Sequence, residues 1–395
     1  MIVRREDVQR REAAELAPYA MPSADSRGRR YPEPEDPYRT AFQRDRDRVI
    51  HSSAYRRLGN KTQVFISFEG EHYRTRLTHT EEATQVAVSV ARALGANVDL
   101  AEAISRAHDL GHSPFGHAGE EALADKMAAH GGFEHNLQTL RVVDELEAEY
   151  PDARGLNLTA EVREGVMAHR GDGGLVVDGI AFEGRQPLVE ARVADLADEI
   201  AYSCHDLQDG LASGLLRRDL LDRDGPAWWA DATADIARRW GRLDGAGEGM
   251  ADLERRRVKG YLINRFAADL IETSAARLAD SGVASPDAAR LLSTRVVDLS
   301  PPVRAMRESL SLYLKTHLYR HYEVVTMAEK AKRLLGALFD AYCANPDGLP
   351  HPVRARIAAG VPRERAICDH IASMTDRGAV REYHRLYDVD THVLP

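Results

Sequence analysis

The hydrophobic positions of this chain recur mostly with the spacing of an α-helix. In Thr78–Gly95, five apolar residues return every three or four positions, at 83, 86, 87, 90 and 94, and Gly95 ends the run. This spacing places them on one helical face. The segment Asp99–Gly111 has the same form, with Asp99 as the expected N-cap and Gly111 as the expected C-cap.

More amphipathic helices are predicted downstream, whereas strand signals are scarce. The same spacing predicts helices over Thr159–His169, Leu188–Gln208, Arg257–Leu278, Val303–His317, Tyr322–Tyr342 and, as the last of the series, Pro362–Ser373. Two short segments, Lys61–Ser67 and Leu175–Phe182, are candidate strands. No βαβ alternation and no internal repeat is visible. The pattern therefore predicts a mainly α fold with at most one small β-hairpin.

Composition along the chain predicts three regions. Residues 1–37 are polar, charged and proline-containing after a short helical start, so we expect an N-terminal arm that is ordered only where something packs on it. Residues 38–220 carry the polar motifs described below and are expected to form the core. Residues 221–395 form a C-terminal helical portion.

The overall composition is that of an ordinary globular protein. The chain has 395 residues, of which 44% are hydrophobic and 29% charged. A net charge of −9 argues against nucleic acid as the main partner. The three cysteines have no zinc or disulfide spacing. No apolar run resembles a signal peptide or a membrane span, so we expect a cytoplasmic protein without a membrane partner.

One segment concentrates groups that carry chemistry. "RAHDLGHSPFGHAGEE" (Arg106–Glu121) places His108, Asp109, His112 and His117 within ten residues. A purely structural role would bury several polar rings that each need a partner. Imidazole and carboxylate together suit Mn²⁺, Fe²⁺, Zn²⁺ or Mg²⁺. The cluster therefore indicates a metal or catalytic site.

Two other segments are candidates to complete such a site. His79 lies at the start of a predicted helix in "RTRLTHT". In "DLADEIAYSCHDLQDG", Asp198, Tyr202 and Asp206 fall at i, i+4 and i+8, which puts them on one helical stripe. Taken alone, His79 is more commonly a helix cap and Asp198 a solvated carboxylate.

These residues match a known pattern. His79, the His108-Asp109 doublet and Asp198 resemble the H…HD…D signature of HD-domain phosphohydrolases. The segments "HDLGHSPFGHAGE" and "DEIAY" narrow the resemblance to the bacterial dGTPase-like deoxynucleoside triphosphate (dNTP) triphosphohydrolases, over about Arg39–Tyr387. The resemblance implies an HD-domain helical bundle whose extra C-terminal helices complete the pocket and form an oligomer interface.

The resemblance also implies roles for individual residues. A divalent metal (Mn, Mg, Fe or Zn) would be held by His79, His108, Asp109 and Asp198. A catalytic pair would be formed by His117 and Glu120. Contacts to the α-phosphate would come from Arg76, His112 and His135. The phosphates and the sugar 3′-hydroxyl would face Tyr202 and Asp206. The sugar and base would lie near Gln63 and Tyr319.

One position departs from the family pattern. Glu199 stands where the vertebrate dNTP-hydrolysing relative has a lysine that contacts phosphate. The outer phosphates must then find other cations, and the available pool is Arg56, Arg57, Lys61, Lys259, Arg265 and Lys315.

The function implied is hydrolysis of a dNTP to deoxynucleoside and inorganic triphosphate. Relatives are commonly tetramers or hexamers whose activity depends on nucleotides bound between subunits, so a homo-oligomer and a dNTP activator are expected. Three alternatives remain: another HD phosphohydrolase such as a 5′-deoxynucleotidase, a guanosine-tetraphosphate hydrolase, and a non-catalytic dNTP-binding regulator.

Overall fold

The computed structural model describes residues 2–63, 74–151, 153–168, 176–177, 180–181, 186–241 and 248–389. The chain divides into two compact units, each built from separate stretches of sequence. Unit 1 comprises Met1–Arg46, His79–Arg106 and Thr159–Tyr322. Unit 2 comprises Asp47–Thr78, Ala107–Leu158 and Glu323–Pro395.

The prediction of a mainly α fold is confirmed. The α-helices are α1 Arg5–Glu15, α2 Ala41–His51, α3 Ser53–Leu58, α4 Arg76–Ala93, α5 Val98–Ala107, α6 Gly116–Met127, α7 His135–Arg141, α8 Ala160–Ala168, α9 Val189–Ala212, α10 Arg218–Asp224, α11 Ala227–Trp240, α12 Glu248–Ser281, α13 Pro286–Arg290, α14 Pro301–His317, α15 Tyr322–Ala344, α16 His351–Ala358, α17 Arg363–Ala372 and α18 Asp376–Tyr387. Short 3-10 helices cover Ser23–Asp25 and Pro346–Gly348, and a π-helix covers Val142–Leu146.

One of the two candidate strand segments contains a hairpin. Strands β1 (Val176–Val177) and β2 (Ile180–Ala181) pair antiparallel, within the predicted Leu175–Phe182. In the other segment, Thr62 forms an isolated antiparallel bridge with Thr75. Positions 64–67 of that segment lie outside the described residues.

Helix α5 does not have the predicted caps. It begins at Val98, and the Asn97 Oδ1 atom accepts a hydrogen bond from the Leu100 amide at 3.2 Å, so Asn97 is the N-cap. Asp99 instead accepts from the Gln43 Nε2 atom at 2.9 Å. The helix ends at Ala107, four residues before the glycine expected to cap it.

Pro362–Ser373 was wrongly predicted to be the last helix. Helix α17 occupies that segment, and α18 follows it, with the Thr375 hydroxyl accepting from the Gly378 amide. Only Asp376 and Ala379 of α18 are fully buried. Ala379, Val380, Tyr383 and Leu386 of α18 nevertheless pack on the core at helical spacing, and charged residues stand between them in the sequence.

Helix α9 is central to the packing of unit 1. It contacts α8, α12 and α14, and most of its residues between 189 and 210 are buried. Helix α12 presents a row of apolar residues at four-residue spacing, namely Val258, Leu262, Phe266 and Leu270, all at most 1% exposed. Because α9 packs on several helices, it buries polar residues such as Glu190 and His205 along with its apolar ones.

The N-terminal arm has buried contacts within unit 1. Ala20 and Met21 are buried, and the Met21 amide donates to Glu190 Oε1 at 3.0 Å. The Asn97 amide donates to the same oxygen at 2.9 Å. Burial raises the pKa of the Glu190 carboxyl, and these donors offset that effect. The middle of the arm is thus tied to α9.

Unit 2 has its own hydrophobic core. Buried residues of α6, α15, α17 and α18 form one cluster, which includes Phe115, Leu123, Leu335, Phe339, Tyr342 and Ile367. The residues that α15 contributes recur at helical spacing, at 331, 335, 338, 339 and 342. Helices α15, α17 and α18 therefore support α6, which carries part of the polar cluster. No helix among the described residues is long and apolar enough to cross a membrane.

We predict that Gly165→Ala destabilises the protein. A Cβ atom at Gly165, on α8, would lie 2.4 Å from the Ile104 Cδ1 atom on α5. The overpacking should lower the free energy of unfolding by roughly 1–3 kcal/mol, measured by urea denaturation. The control is Gly260→Ala in α12, where a Cβ would meet nothing within 4 Å. That variant should gain up to about 1 kcal/mol, because alanine favours helix. Equal stabilities of the two variants would contradict the prediction.

Candidate active site

Asp109 is a buried carboxylate among the polar residues of unit 2. It lies just after α5, and 3% of its surface is exposed. Arg76 Nη1 donates to its Oδ2 at 3.1 Å, and the Nε2 atoms of His112 and His108 lie 3.0 and 3.3 Å from its Oδ1. Burial would raise the pKa of Asp109, but His108, Arg76 and His112 hold that pKa well below its usual range. Asp109 is therefore an anion at neutral pH.

His112 is a neutral imidazole with one free nitrogen. Burial, together with the nearby Arg76 and His135, lowers the pKa of His112 well below its usual value. Its ring stacks on that of His135, with centroids 4.1 Å apart. Since Nε2 faces the Asp109 carboxylate, Nε2 carries the proton and Nδ1 presents a lone pair. Nδ1 is buried and has no hydrogen-bond partner among the described residues.

Glu120 joins two histidines of unit 2. Its Oε1 accepts from the His135 amide and lies 2.9 Å from the His135 Nδ1 atom. Its Oε2 lies 3.5 Å from the His117 Nδ1 atom. Burial opposes ionisation, but the hydrogen bonds from His117 and His135 hold the pKa of Glu120 far below its usual range. The side chain of His117 is 66% exposed, so this ring is the accessible member of the group.

The turn before α6 is held by a residue from the far end of the chain. Phe115 has a left-handed backbone (φ 62°), which is unusual for a residue with a bulky side chain. Its amide donates to Asp376 Oδ1 at 2.9 Å, and the amide and hydroxyl of Thr62 donate to Asp376 Oδ2. Asp376 therefore fixes the start of the helix that carries His117. Sequence reasoning missed this residue, which lies far along the chain from the histidine-rich segment.

Lys61 is a second residue that supports the histidine segment, and its position differs from the one expected from the sequence. It was placed in the pool of cations for the outer phosphates, yet it is 2% exposed. Its Nζ donates to the backbone carbonyls of His112 and Ala372. Burial and the nearby Arg57 lower the pKa of Lys61 to about 7. Lys61 therefore ties the backbone of the histidine segment to the end of α17.

Gly111 is required for packing. A Cβ atom at this position would lie 2.1 Å from the Thr139 amide nitrogen. The Gly111 amide donates to the Thr139 hydroxyl, which in turn donates to the His108 carbonyl at 2.9 Å. Only glycine allows the segment to pass this close to α7. The residue predicted as a helix cap is thus a point of close contact.

Unit 1 contributes a separate histidine–carboxylate pair. His79 on α4 is 1% exposed, and its Nε2 lies 2.7 Å from the Asp198 Oδ1 atom on α9. The ring of Tyr202 meets the His79 ring edge-on, with centroids 6.4 Å apart. The predicted stripe on α9 is therefore present, because Asp198 and Tyr202 both lie near His79.

The end of that stripe pairs with Tyr319. The Tyr319 hydroxyl donates to Asp206 Oδ2, and burial and Asp206 raise the pKa of Tyr319. Its ring lies 6.3 Å from that of Tyr202. Unit 1 thus brings together three of the residues predicted to contact substrate, on α9 and just after α14.

The remaining predicted residues differ in their surroundings. Gln63 of unit 2 is 7% exposed, and its Oε1 atom has no hydrogen-bond partner among the described residues. Lys315 is exposed on α14. Glu199, the departure from the family pattern, pairs with Arg307 at 3.0 Å on α14. Arg307 is a cation that sequence reasoning missed.

The donor sets fit a divalent metal. His79 and Asp198 in unit 1, and His108 and Asp109 in unit 2, are imidazole and carboxylate ligands of the kind that Mn²⁺, Fe²⁺, Zn²⁺ and Mg²⁺ accept. An imidazole lone pair 2.7 Å from a carboxylate oxygen needs a proton or a cation beside it.

A third group could also hold an ion. Ligand atoms of His112, Glu120 and His135 lie within 4.8 Å of one another in unit 2. Glu120, however, already accepts hydrogen bonds from His135. This group is therefore better arranged for proton transfer and anion contacts than for a metal.

Comparison with known proteins agrees with this chemistry. The HD domain family matches residues 76–203, and the phosphohydrolase-associated domain matches residues 297–385. A deoxyguanosinetriphosphate triphosphohydrolase-like protein of Geobacter metallireducens is 44% identical over 95% of this chain and 96% of its own length. A protein of the same description from Azoarcus sp. is 46% identical over 96% of this chain and 98% of its own length.

The chain belongs to this family of HD-domain phosphohydrolases. A third relative of the same description, from Geobacter sulfurreducens, is 43% identical over 98% of this chain and 99% of its own length. The similarity therefore covers both units, including the C-terminal helices that support the histidine segment. Membership identifies the chain as a hydrolase of the HD superfamily and supports a divalent metal.

We predict that Lys61 makes stability depend on pH. Its folded-state pKa of about 7 lies below the value of about 10.4 in an unfolded chain. Between these values the unfolded state binds more protons, so Lys61 should make the free energy of unfolding rise with pH. Urea denaturation from pH 7 to 9.5, in a chelator, should show a steeper rise for the wild type than for Lys61→Met. The control Lys126→Met, which removes a pair with Asp340, should keep the wild-type slope.

Proposed function

We propose that the protein is a metal-dependent dNTP triphosphohydrolase that cleaves its substrate at the α-phosphorus. The products are a deoxynucleoside and inorganic triphosphate. The observation that carries the proposal is the arrangement in unit 2, where an exposed histidine, a partly buried ionised glutamate and a neutral stacked histidine lie beside Arg76 and Asp109. This set provides a proton carrier, a residue that orients it, and contacts for an anion.

The metal ligands in this proposal are His79, Asp198, His108 and Asp109. That these two pairs hold the same ion rests on the H…HD…D motif of the family. When bound, a divalent ion offsets the charge of a phosphate and acts as a Lewis acid. The chain's own contribution is to keep the carboxylates ionised, as Arg76 does for Asp109.

The α-phosphate would be contacted by Arg76, His112 and His135. Arg76 uses Nη1 for Asp109 and is held in place by that contact, and its Nε has no partner among the described residues. The guanidinium therefore keeps donors for an anion. The neutral His112 ring, fixed by Asp109 and stacked on His135, adds no positive charge that would hold the product tightly.

His117 is the proposed general acid–base residue. Attack by water forms a P–O bond and breaks the bond from phosphorus to the sugar 5′-oxygen, which must receive a proton. His117 would either deliver that proton or position the attacking water, and Glu120 orients the ring for both roles. The exposure of His117 is consistent with direct access to substrate.

The sugar and the outer phosphates would be contacted by residues of both units. Tyr319, held by Asp206, has a fixed hydroxyl direction and is suited to a position beside the sugar, as are Tyr202 and Gln63. For the β- and γ-phosphates we propose Lys315, and we add Arg307, which offsets Glu199. Homo-oligomerisation, a dNTP activator and a cytoplasmic location are further proposals from the family resemblance.

The proposed reaction predicts a specific pair of products. Purified protein incubated with each dNTP, alone and mixed, with Mn²⁺ or Mg²⁺, should release deoxynucleoside and intact triphosphate, identified by ion-exchange chromatography and phosphorus NMR. Faster turnover of mixtures than of single dNTPs would support an activator. Orthophosphate or pyrophosphate would instead indicate another HD phosphohydrolase. Binding of dNTP without turnover would indicate a regulator.

We predict different defects for the acid–base residue and a metal ligand. His117→Ala should lower turnover by roughly 10²–10⁴-fold while Mn²⁺ binding stays normal, because His117 holds no metal. Asp198→Ala should lose both Mn²⁺ binding and turnover. The matched control is His130→Ala, an exposed histidine of unit 2. Wild-type turnover in His117→Ala would remove this residue from the mechanism.

A further inference from the structure

The side of His79 that faces away from Asp198 meets a second buried histidine. The His79 Nδ1 atom lies 3.0 Å from the Nδ1 atom of His205, and the two rings are nearly perpendicular, at 89°. His205 is 1% exposed on α9. It lies seven residues, or two helical turns, after Asp198, so both face α4. Each nitrogen of His79 therefore has a partner on the same helix.

The second nitrogen of His205 meets a carboxylate. Its Nε2 lies 2.6 Å from Glu82 Oε2, and Glu82 is one turn after His79 on α4. The Lys259 Nζ atom lies 3.5 Å from the same Glu82 oxygen. The side chain of Glu82 is 43% exposed. A continuous row of polar groups thus runs from Asp198 through both histidines to a carboxylate at the surface of unit 1.

The number of available protons determines in which direction the hydrogen bonds of this row run. It has three close contacts: Asp198 to His79, His79 to His205, and His205 to Glu82. Each needs a proton or a cation, and if both imidazoles are neutral they carry only two protons between them. If His205 gives its Nε2 proton to Glu82, its Nδ1 accepts from His79 Nδ1. The His79 Nε2 lone pair then faces Asp198, and a divalent ion fits the third contact.

We propose that His205 and Glu82 are positioning residues that hold His79 in the tautomer able to bind metal. This inference rests on the metal role of His79 in the proposed function. A carboxylate or carbonyl that accepts from the outer nitrogen of a ligating histidine fixes the ring and raises its basicity. Here a second imidazole passes that effect from Glu82 to His79.

Glu82→Gln is the decisive variant. The new amide can donate to His205 Nε2, so that each hydrogen bond between His205 and its neighbours runs in the opposite direction. His79 Nε2 then carries a proton and cannot bind the metal. Mn²⁺ affinity, measured by electron paramagnetic resonance of the free ion, should fall roughly 10–100-fold. The control Glu81→Gln changes the adjacent residue, whose side chain is 45% exposed and pairs with Arg106. It should bind Mn²⁺ like the wild type.

Two further comparisons separate positioning from a structural role. Glu82→Ala removes the acceptor without offering a donor, so it should weaken Mn²⁺ binding less than Glu82→Gln. His205→Asn places an amide oxygen near the former Nδ1 and should retain most affinity, whereas His205→Leu should lose it. The double variant with Glu82→Gln and His205→Asn should bind Mn²⁺ no more weakly than His205→Asn alone, because the imidazole that couples Glu82 to His79 is absent.

Several outcomes would overturn the inference. The inference is wrong if Glu82→Gln binds Mn²⁺ as tightly as Glu81→Gln does. It is also wrong if Glu82→Ala loses more Mn²⁺ affinity than Glu82→Gln. Melting temperatures of the metal-free variants show whether any loss reflects unfolding. If Asp198→Ala binds Mn²⁺ as the wild type does, the proposed metal site itself fails. If Asp198→Ala loses the ion while Glu82→Gln keeps it, only the positioning role fails.

Discussion

The buried negative charge of Asp109 constrains unit 2 more than any other single feature. An ionised carboxylate that is removed from water is strongly unfavourable unless cations and hydrogen-bond donors surround it. Arg76, His108 and His112 supply those partners, and each is thereby fixed in place. The contacts that stabilise the charge of Asp109 also leave His112 neutral and stacked on His135. The electrostatics of the candidate site thus follow from one buried group.

The backbone around this group is held by the C-terminal helices. Asp376, the first residue of α18, binds the turn at Phe115, and Lys61 links the His112 carbonyl to the end of α17. Phe115 would not keep its left-handed conformation without such a partner. The phosphohydrolase-associated segment therefore contributes directly to the geometry of the histidine-rich segment, which explains why the family resemblance extends far beyond the HD motif.

In unit 1, two long helices hold the polar groups of the row in position. His79 and Glu82 lie one turn apart on α4, and Asp198 and His205 lie two turns apart on α9, so two rigid elements align four polar groups. With both imidazoles neutral, the row is fully paired when a cation joins Asp198 and His79. Donors placed on helices hold their geometry better than donors placed on loops.

The sequence by itself determined the helical class, the positions of about half of the helices and the candidate ligands, because helical periodicity and the HD and DEIAY motifs are local signals. It did not reveal Asp376, Lys61, Arg307, His205 or Glu82 in their present roles. It also gave Gly111 the wrong role, because the approach of Thr139 cannot be read from neighbouring residues. Only tertiary structure decides contacts such as those of Glu120 with His135 and of Lys61 with Ala372, since they join residues 15 and 311 positions apart. Burial then sets their charges.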